Sequence, residues 1–285
     1  MITRKNSDAR PYLGYGLRLR TEYLETLLHD RPALDCIEII SENYLDADEA
    51  TLRQLDELRS HYPVMLHGLS LSIGSPWPLE PGYLDQLKRL TERIEPAWVS
   101  DHLCWRGADD EQQGQLLPLP YTEETLEHVV ARINRVQAFL GRQILLENVP
   151  LEQDNHQEIP EADFIREVAE RSDSLILIDI GNLLSSSLNQ GFNTSDYIAR
   201  LPPARVRQLH LPEISFLPAT NDECDAPPHI PDPIWQLYSE MLDRFGRLTT
   251  IIEREDTIPT LAGTLSDIDK VRRAVGKYLG NELAG

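Results

Sequence analysis

Short, strongly apolar runs recur along the chain, and longer stretches with helical spacing separate them. The β-rich runs lie near Tyr12–Leu17, Cys36–Ile40, Val64–His67, Trp98–Leu103, Gln143–Val149, Leu175–Ile180, Val206–Leu211 and Thr249–Glu253. Runs this apolar are characteristic of parallel strands covered by helices. Between them the spacing predicts helices at Thr21–Leu28, Ala47–His61 (opening after Asp46), Tyr83–Ile94, Glu123–Leu140, Glu161–Glu170, Thr194–Arg200, Pro233–Arg244 and Leu265–Tyr278. The clearest is Glu123–Leu140, where Leu126, Val129, Val130, Ile133 and Val136 recur at helical spacing and Thr122 is placed to cap the first turn. Eight strands alternating with eight helices over residues 1–285 describe a single α/β domain, a (β/α)8 TIM barrel.

The strand ends break the apolar pattern. His67, His102, Glu147, Asp179, His210 and Glu253 each close an apolar run, and Asn182 follows Asp179 by three residues. In a parallel barrel these positions converge on one rim, where active sites are built. A carboxylate ending an apolar strand is costly to bury unless it is paired or bound to metal. Imidazoles and carboxylates without thiolates therefore point to a cluster of metal ions, and iron, manganese and zinc all suit the donors. Glu147, midway in the series, is the candidate bridge between two ions. Asp101 faces the other way by strand alternation, so Asp101 and Asn148 are expected to hold ligands in place rather than bind metal. Glu42, Asn43 and Arg18 follow strands and are weaker candidates for the substrate cleft, as are Arg20 and Arg254.

Composition narrows the partners. The net charge is −20, with 47 acidic and 27 basic residues. Such a surface repels phosphate backbones and disfavours nucleic acid, whereas a basic peptide is compatible. No apolar run approaches the length of a membrane-spanning helix, and MITRKNSDARPYLGYG lacks the apolar segment of a signal peptide. Three cysteines, Cys36, Cys104 and Cys224, form no disulfide framework, so a cytoplasmic location is expected. The proline-rich, acidic stretch 212–232 follows the seventh strand and reads as a loop over the site.

At these residues the chain resembles the multinuclear non-heme iron-dependent oxidative enzymes (MNIO), known from methanobactin and 3-thiaglutamate biosynthesis. The resemblance is carried by HGLSLSIGS from His67, SDHLCW around Asp101, LPLPYTEETLEHV from Leu117, LLENV from Leu145, LIDIGN from Leu177, QGFNTSDYI from Gln190, QLHLPE from Gln208, PDPIWQLY from Pro231 and IIERED from Ile251. It runs from about Gly14 to Asp256. The family is a TIM barrel. The resemblance implies one iron site at His67, His102 and Glu147 and a second at Glu147, Asp179, His210 and Glu253, with Asn182 matching a position that contributes to a third. The family's closely spaced aspartate and histidine before the PDP-[VI]-W segment are not matched. NDECDAPPHIPDPIW offers Asp222, Asp225 and His229 at other spacing, Ala226 stands where the histidine is expected, and Gly181 replaces an asparagine. Two iron ions are therefore expected, with Asn182, Asp225 and His229 the residues for a third.

The resemblance further implies an oxidoreductase of peptide (RiPP) biosynthesis: with dioxygen as co-substrate, it would oxidise cysteine residues of a ribosomally synthesised precursor peptide. A small partner protein that recognises the leader peptide is implied too. A metal-dependent phosphodiester hydrolase is one alternative on a related barrel, opposed by the charge. A sugar isomerase is another, opposed by the absence of lysine at the strand ends, and a non-catalytic chain that has lost a metal is a third.

Overall fold

The computed structural model describes residues 12–105, 116–151, 157–212, 232–253 and 260–282. Eight parallel strands form a closed barrel in chain order: β1 (Tyr15–Arg18), β2 (Cys36–Ile40), β3 (Val64–Gly68), β4 (Val99–His102), β5 (Leu145–Glu147), β6 (Leu175–Asp179), β7 (Val206–Pro212) and β8 (Thr249–Glu253). β1 pairs with both β2 and β8, which closes the ring. The helices among the described residues are α1 (Thr21–Asp30), α2 (Glu49–His61), α3 (Pro81–Ile94), α4 (Glu123–Leu140), α5 (Glu161–Ser172), α6 (Ile180–Gln190), α7 (Thr194–Arg200), α8 (Asp232–Phe245) and α9 (Leu261–Glu282). None is long and apolar enough to cross a membrane. The loop 212–232, apart from Pro212 and the start of α8, lies outside the described residues.

Three local expectations are corrected. The first strand starts at Tyr15, not Tyr12; Tyr12 is 40% exposed and stays outside the ladder. The second helix opens at Glu49 because the side chain of Asp48, not Asp46, accepts the Thr51 N–H. Two helices, not one, follow β6. The run IGNLLSSSLNQ has weak helix propensity and shows no start signal of its own. Its cap is Asp179 at the end of the preceding strand, which accepts the Asn182 N–H, and Ser186 then accepts the Leu151 N–H from a distant loop.

Strand alternation builds two cores. Outward residues such as Ile37, Ile39, Leu66 and Ile178 pack beneath the helices in the larger cluster. Cys36, Met65, Trp98, Leu145, Leu175, Leu177 and Ile251 form a second, separate cluster. Each of Cys36, Met65, Leu145, Leu177 and Ile251 sits two residues before Glu38, His67, Glu147, Asp179 and Glu253 respectively, so each pair shares a face. The inner cluster is thus an apolar plug beneath a polar layer. Gly16 fits this plug because a Cβ there would lie 2.5 Å from the Cys36 carbonyl oxygen and 2.7 Å from its sulfur.

Candidate metal centre

Register assembles the polar layer. His102 pairs with Glu147 across β4 and β5, and Asp179 pairs with His210 across β6 and β7. His67 and His102 both aim Nε2 at Glu147 Oε2, each 3.3 Å away, and their rings stand edge to face with centroids 4.8 Å apart. His210 aims Nδ1 at Glu147 Oε1 (3.0 Å) and at Glu253 Oε1 (2.8 Å). Ligand atoms of His67, His102 and Glu147 converge within 4.8 Å of one another, as do those of Glu147, Asp179 and His210 and those of Glu38, His67 and His210. Glu147 belongs to two of these groups, the position a bridging carboxylate would occupy.

Around this set, neighbours fix the orientation of His67, His210 and Asp179, whereas His102 Nδ1 is buried without a hydrogen-bond partner. Ser100 Oγ lies 2.8 Å from His67 Nδ1. Glu38 Oε2 and Gln208 Nε2 lie 3.1 and 2.9 Å from His210 Nε2, and Gln208 also donates to Glu38 and accepts from the Trp98 indole. Asn148 brackets the backbone of Asp179, accepting its N–H at 2.8 Å and donating to its carbonyl at 3.1 Å. Histidine ligands are commonly held in this way through the second ring nitrogen.

The donors fit a metal. His67 Nε2 and Glu147 Oε2 are buried and have no hydrogen-bond partner, yet they face each other. Buried polar atoms without partners are rare, and here a cation between them would satisfy both. Four carboxylates, Glu38, Glu147, Asp179 and Glu253, are buried in this layer, with Arg18 reaching Glu253 and lying 3.8 Å from Glu38. Arg18 supplies one permanent positive charge against these four carboxylates, and divalent ions would supply more. The strain shows in the acid–base balance. Burial, then Glu147 and Glu253, push Asp179 up to about 8. Burial holds His67 well below its usual range, in the neutral form that binds metal. Burial opposes a charge on His210, but Glu253, Glu38 and Glu147 together push it well above its usual range.

The structure therefore brings together His67, His102, Glu147, Asp179, His210 and Glu253. Asn182 stands beside them with its amide donating to the Asn148 carbonyl at 3.0 Å. Asp101 is buried and turned from the cluster, accepting the N–H of Leu71 at 3.1 Å and of His102 at 2.8 Å, which ties the loop after β3 to β4. Glu42 accepts the Leu69 N–H and the Tyr83 hydroxyl, both at 2.8 Å, and Asn43 is exposed. Arg18 is engaged inside the rim by Glu253 and Glu38. Asp225, His229 and Arg254 lie outside the described residues. Glu38, Ser100 and Gln208 are the residues that sequence reasoning missed. Alternation would have found Glu38, the single charge within CIEII, and Gln208, two residues before His210 on the same face.

Comparison with known proteins gives a consistent family. A UPF0276 protein of Anaeromyxobacter sp. (strain Fw109-5) is 46% identical over 257 residues, covering 88% of this chain and 89% of that one. A UPF0276 protein of Caulobacter vibrioides (strain NA1000 / CB15N) is 39% identical over 272 residues, covering 92% and 94%. Among solved structures, L-ribulose 3-epimerase superposes with a TM-score of 0.60 at 14% identity, covering 94% of each chain. The IolI protein with a bound zinc atom gives 0.60 at 12%, covering 93% of this chain and 99% of that one. At such identities these structures share the fold alone. The family model described as RiPP precursor modification enzyme MbnB/TglH/ChrH matches residues 14–276, nearly the whole barrel and every residue of the centre, and the chain belongs to that family.

Proposed function

We propose that the protein is a di-iron oxidase that uses dioxygen to modify cysteine residues of a ribosomally synthesised precursor peptide. The observation that carries this reading is the facing pair of partnerless buried atoms, His67 Nε2 and Glu147 Oε2, within a layer of histidines and carboxylates. His67, His102 and Glu147 would hold one ion, and Glu147, Asp179, His210 and Glu253 the other. Iron bound there supplies the redox states that zinc lacks, and with them oxidation by dioxygen.

The chain's own residues set the conditions for that chemistry. The apolar plug below the cluster keeps water from the underside of the barrel, so a peptide thiol would enter from the rim. Ser100, Glu38 and Asn148 lock the positions of His67, His210 and Asp179, so the donors need not reorganise during turnover. Arg18, held between Glu253 and Glu38, keeps one positive charge beside the second ion position. The engagement of Asn182 with Asn148 supports two ions rather than three. A small leader-binding partner protein and a cytoplasmic setting belong to the same proposal.

The test is metal analysis and Mössbauer spectroscopy on protein purified without oxygen, followed by incubation with its precursor peptide in air. Two irons per chain and an oxygen-dependent mass change localised to cysteine are expected. Zinc or manganese alone, with no activity gained on iron loading, would overturn the reading in favour of a hydrolase or isomerase.

A further inference from the structure

Two sequence stretches that the metal centre does not use, LPLPYTEE and QGFNTSDYI, each pack against α5 on the flank of the barrel. Tyr121 of the first is buried, packs its ring 4.6 Å from Phe164, and accepts the N–H groups of Glu158 and Ile159 just before α5. Phe192 and Tyr197 of the second stack at 5.6 Å with their planes 18° apart. Where α5 begins and α7 runs beside it, with Phe192 and Tyr197 of the second stretch in its lining, lies a cavity of about 190 Å³. It is smaller than the roughly 300–1,000 Å³ of pockets for whole drug-sized ligands and suits a single side chain.

Glu161 forms part of its wall. As the first residue of α5 it would ordinarily be solvated, yet only 4% of it is exposed. The Tyr197 hydroxyl reaches Oε1 at a long 3.4 Å, and Oε2 is buried with no partner. The cation that also lines the cavity, Arg200, does not compensate it, since its guanidinium is taken by Asp163. Asp196 adds a second carboxylate to the lining, within a chain of net charge −20. Burying a carboxylate without a partner is costly, and burial pushes Glu161 up to about 8.

We infer that this cavity is a recognition site for the guanidinium or primary ammonium group of a basic polypeptide side chain, with Glu161 as its counter-ion and the Phe192–Tyr197 pair as its aromatic wall. An incoming cation would give Glu161 Oε2 its missing partner and lie against aromatic rings, an arrangement that stabilises cations further when desolvated. The inference is independent of the reaction at the metals, because none of these residues belongs to the centre.

The experiment is calorimetric titration of the metal-replete full chain with N-acetyl-arginine amide, whose blocked termini leave only the side chain charged. N-acetyl-citrulline amide serves as the neutral match in shape. Saturable binding of the arginine compound is expected, weakened about tenfold or more for the citrulline compound, for Glu161→Gln and for Phe192→Leu. Absence of saturable binding in the millimolar range, equal binding of citrulline, or unchanged affinity in both folded variants would overturn the inference.

Discussion

His210 turns Nδ1 toward Glu147, 3.0 Å away, and gives Nε2 to Glu38 at 3.1 Å, the reverse of His67 and His102, which turn Nε2 toward Glu147. Glu38 thereby fixes which nitrogen of His210 is available to a metal. The ring could otherwise flip, and the second ion position would lose a donor.

Glu38→Ala is expected to weaken metal binding at the second position by roughly 10–100-fold, the usual effect of removing a residue that orients a ligand. Metal titration followed by elemental analysis checks this. One ion should be retained at His67 and His102 while the other is lost. Loss of both ions, or of neither, from a folded variant would show that Glu38 does not act through His210.

Crowding four carboxylates into one buried layer trades stability for metal binding. In the presence of a chelator, Asp179→Asn is expected to raise the melting temperature by a few degrees, corresponding to about 1–2 kcal/mol from the relieved burial of a carboxyl and its repulsion by Glu147 and Glu253. The same variant should lose most of the stabilisation that added metal gives the wild type. A lower melting temperature in chelator would contradict this account of burial and repulsion.

Glu161 makes stability depend on pH. Its folded pKa is raised to about 8 by burial, so the folded state keeps a proton that the unfolded chain gives up near the ordinary carboxylate range. Stability is fully present below that ordinary range and is lost as pH rises through about 8. Glu161→Gln cannot lose a proton, so it should melt above wild type at pH 9, with the gap narrowing towards pH 5. Thermal melts across that range decide it, and a gap that does not vary with pH would refute the assignment.

Asp101 ties the loop after β3 to β4 through the N–H groups of Leu71 and His102. Asp101→Ala leaves these buried donors without an acceptor and is expected to cost about 2–3 kcal/mol, at the upper end for a lost charged acceptor. Denaturant unfolding measures the loss. Metal content of the folded fraction should fall less than in Glu38→Ala, because Asp101 holds the backbone of His102 and not an imidazole ring.

The sequence by itself determined the architecture and most of the polar layer. Apolar runs of strand length alternating with helical spacing permit few folds, and donors such as Glu147 and Glu253 interrupt those runs where burial would otherwise be costly. It did not determine who meets whom. The adjacency of His102 to Glu147 and of Asp179 to His210 comes from strand register and barrel closure, which join residues far apart in the chain. Helix α6 escaped because its cap is a side chain of the preceding strand, and Ser186 in the serine-rich run gains its partner from a distant loop. Glu38 escaped for a related reason: in CIEII it is one charge in an apolar strand, and only the closed barrel sets His210 against it. Local pattern reports which face a residue occupies, whereas the orientation of an imidazole depends on atoms that arrive from another strand.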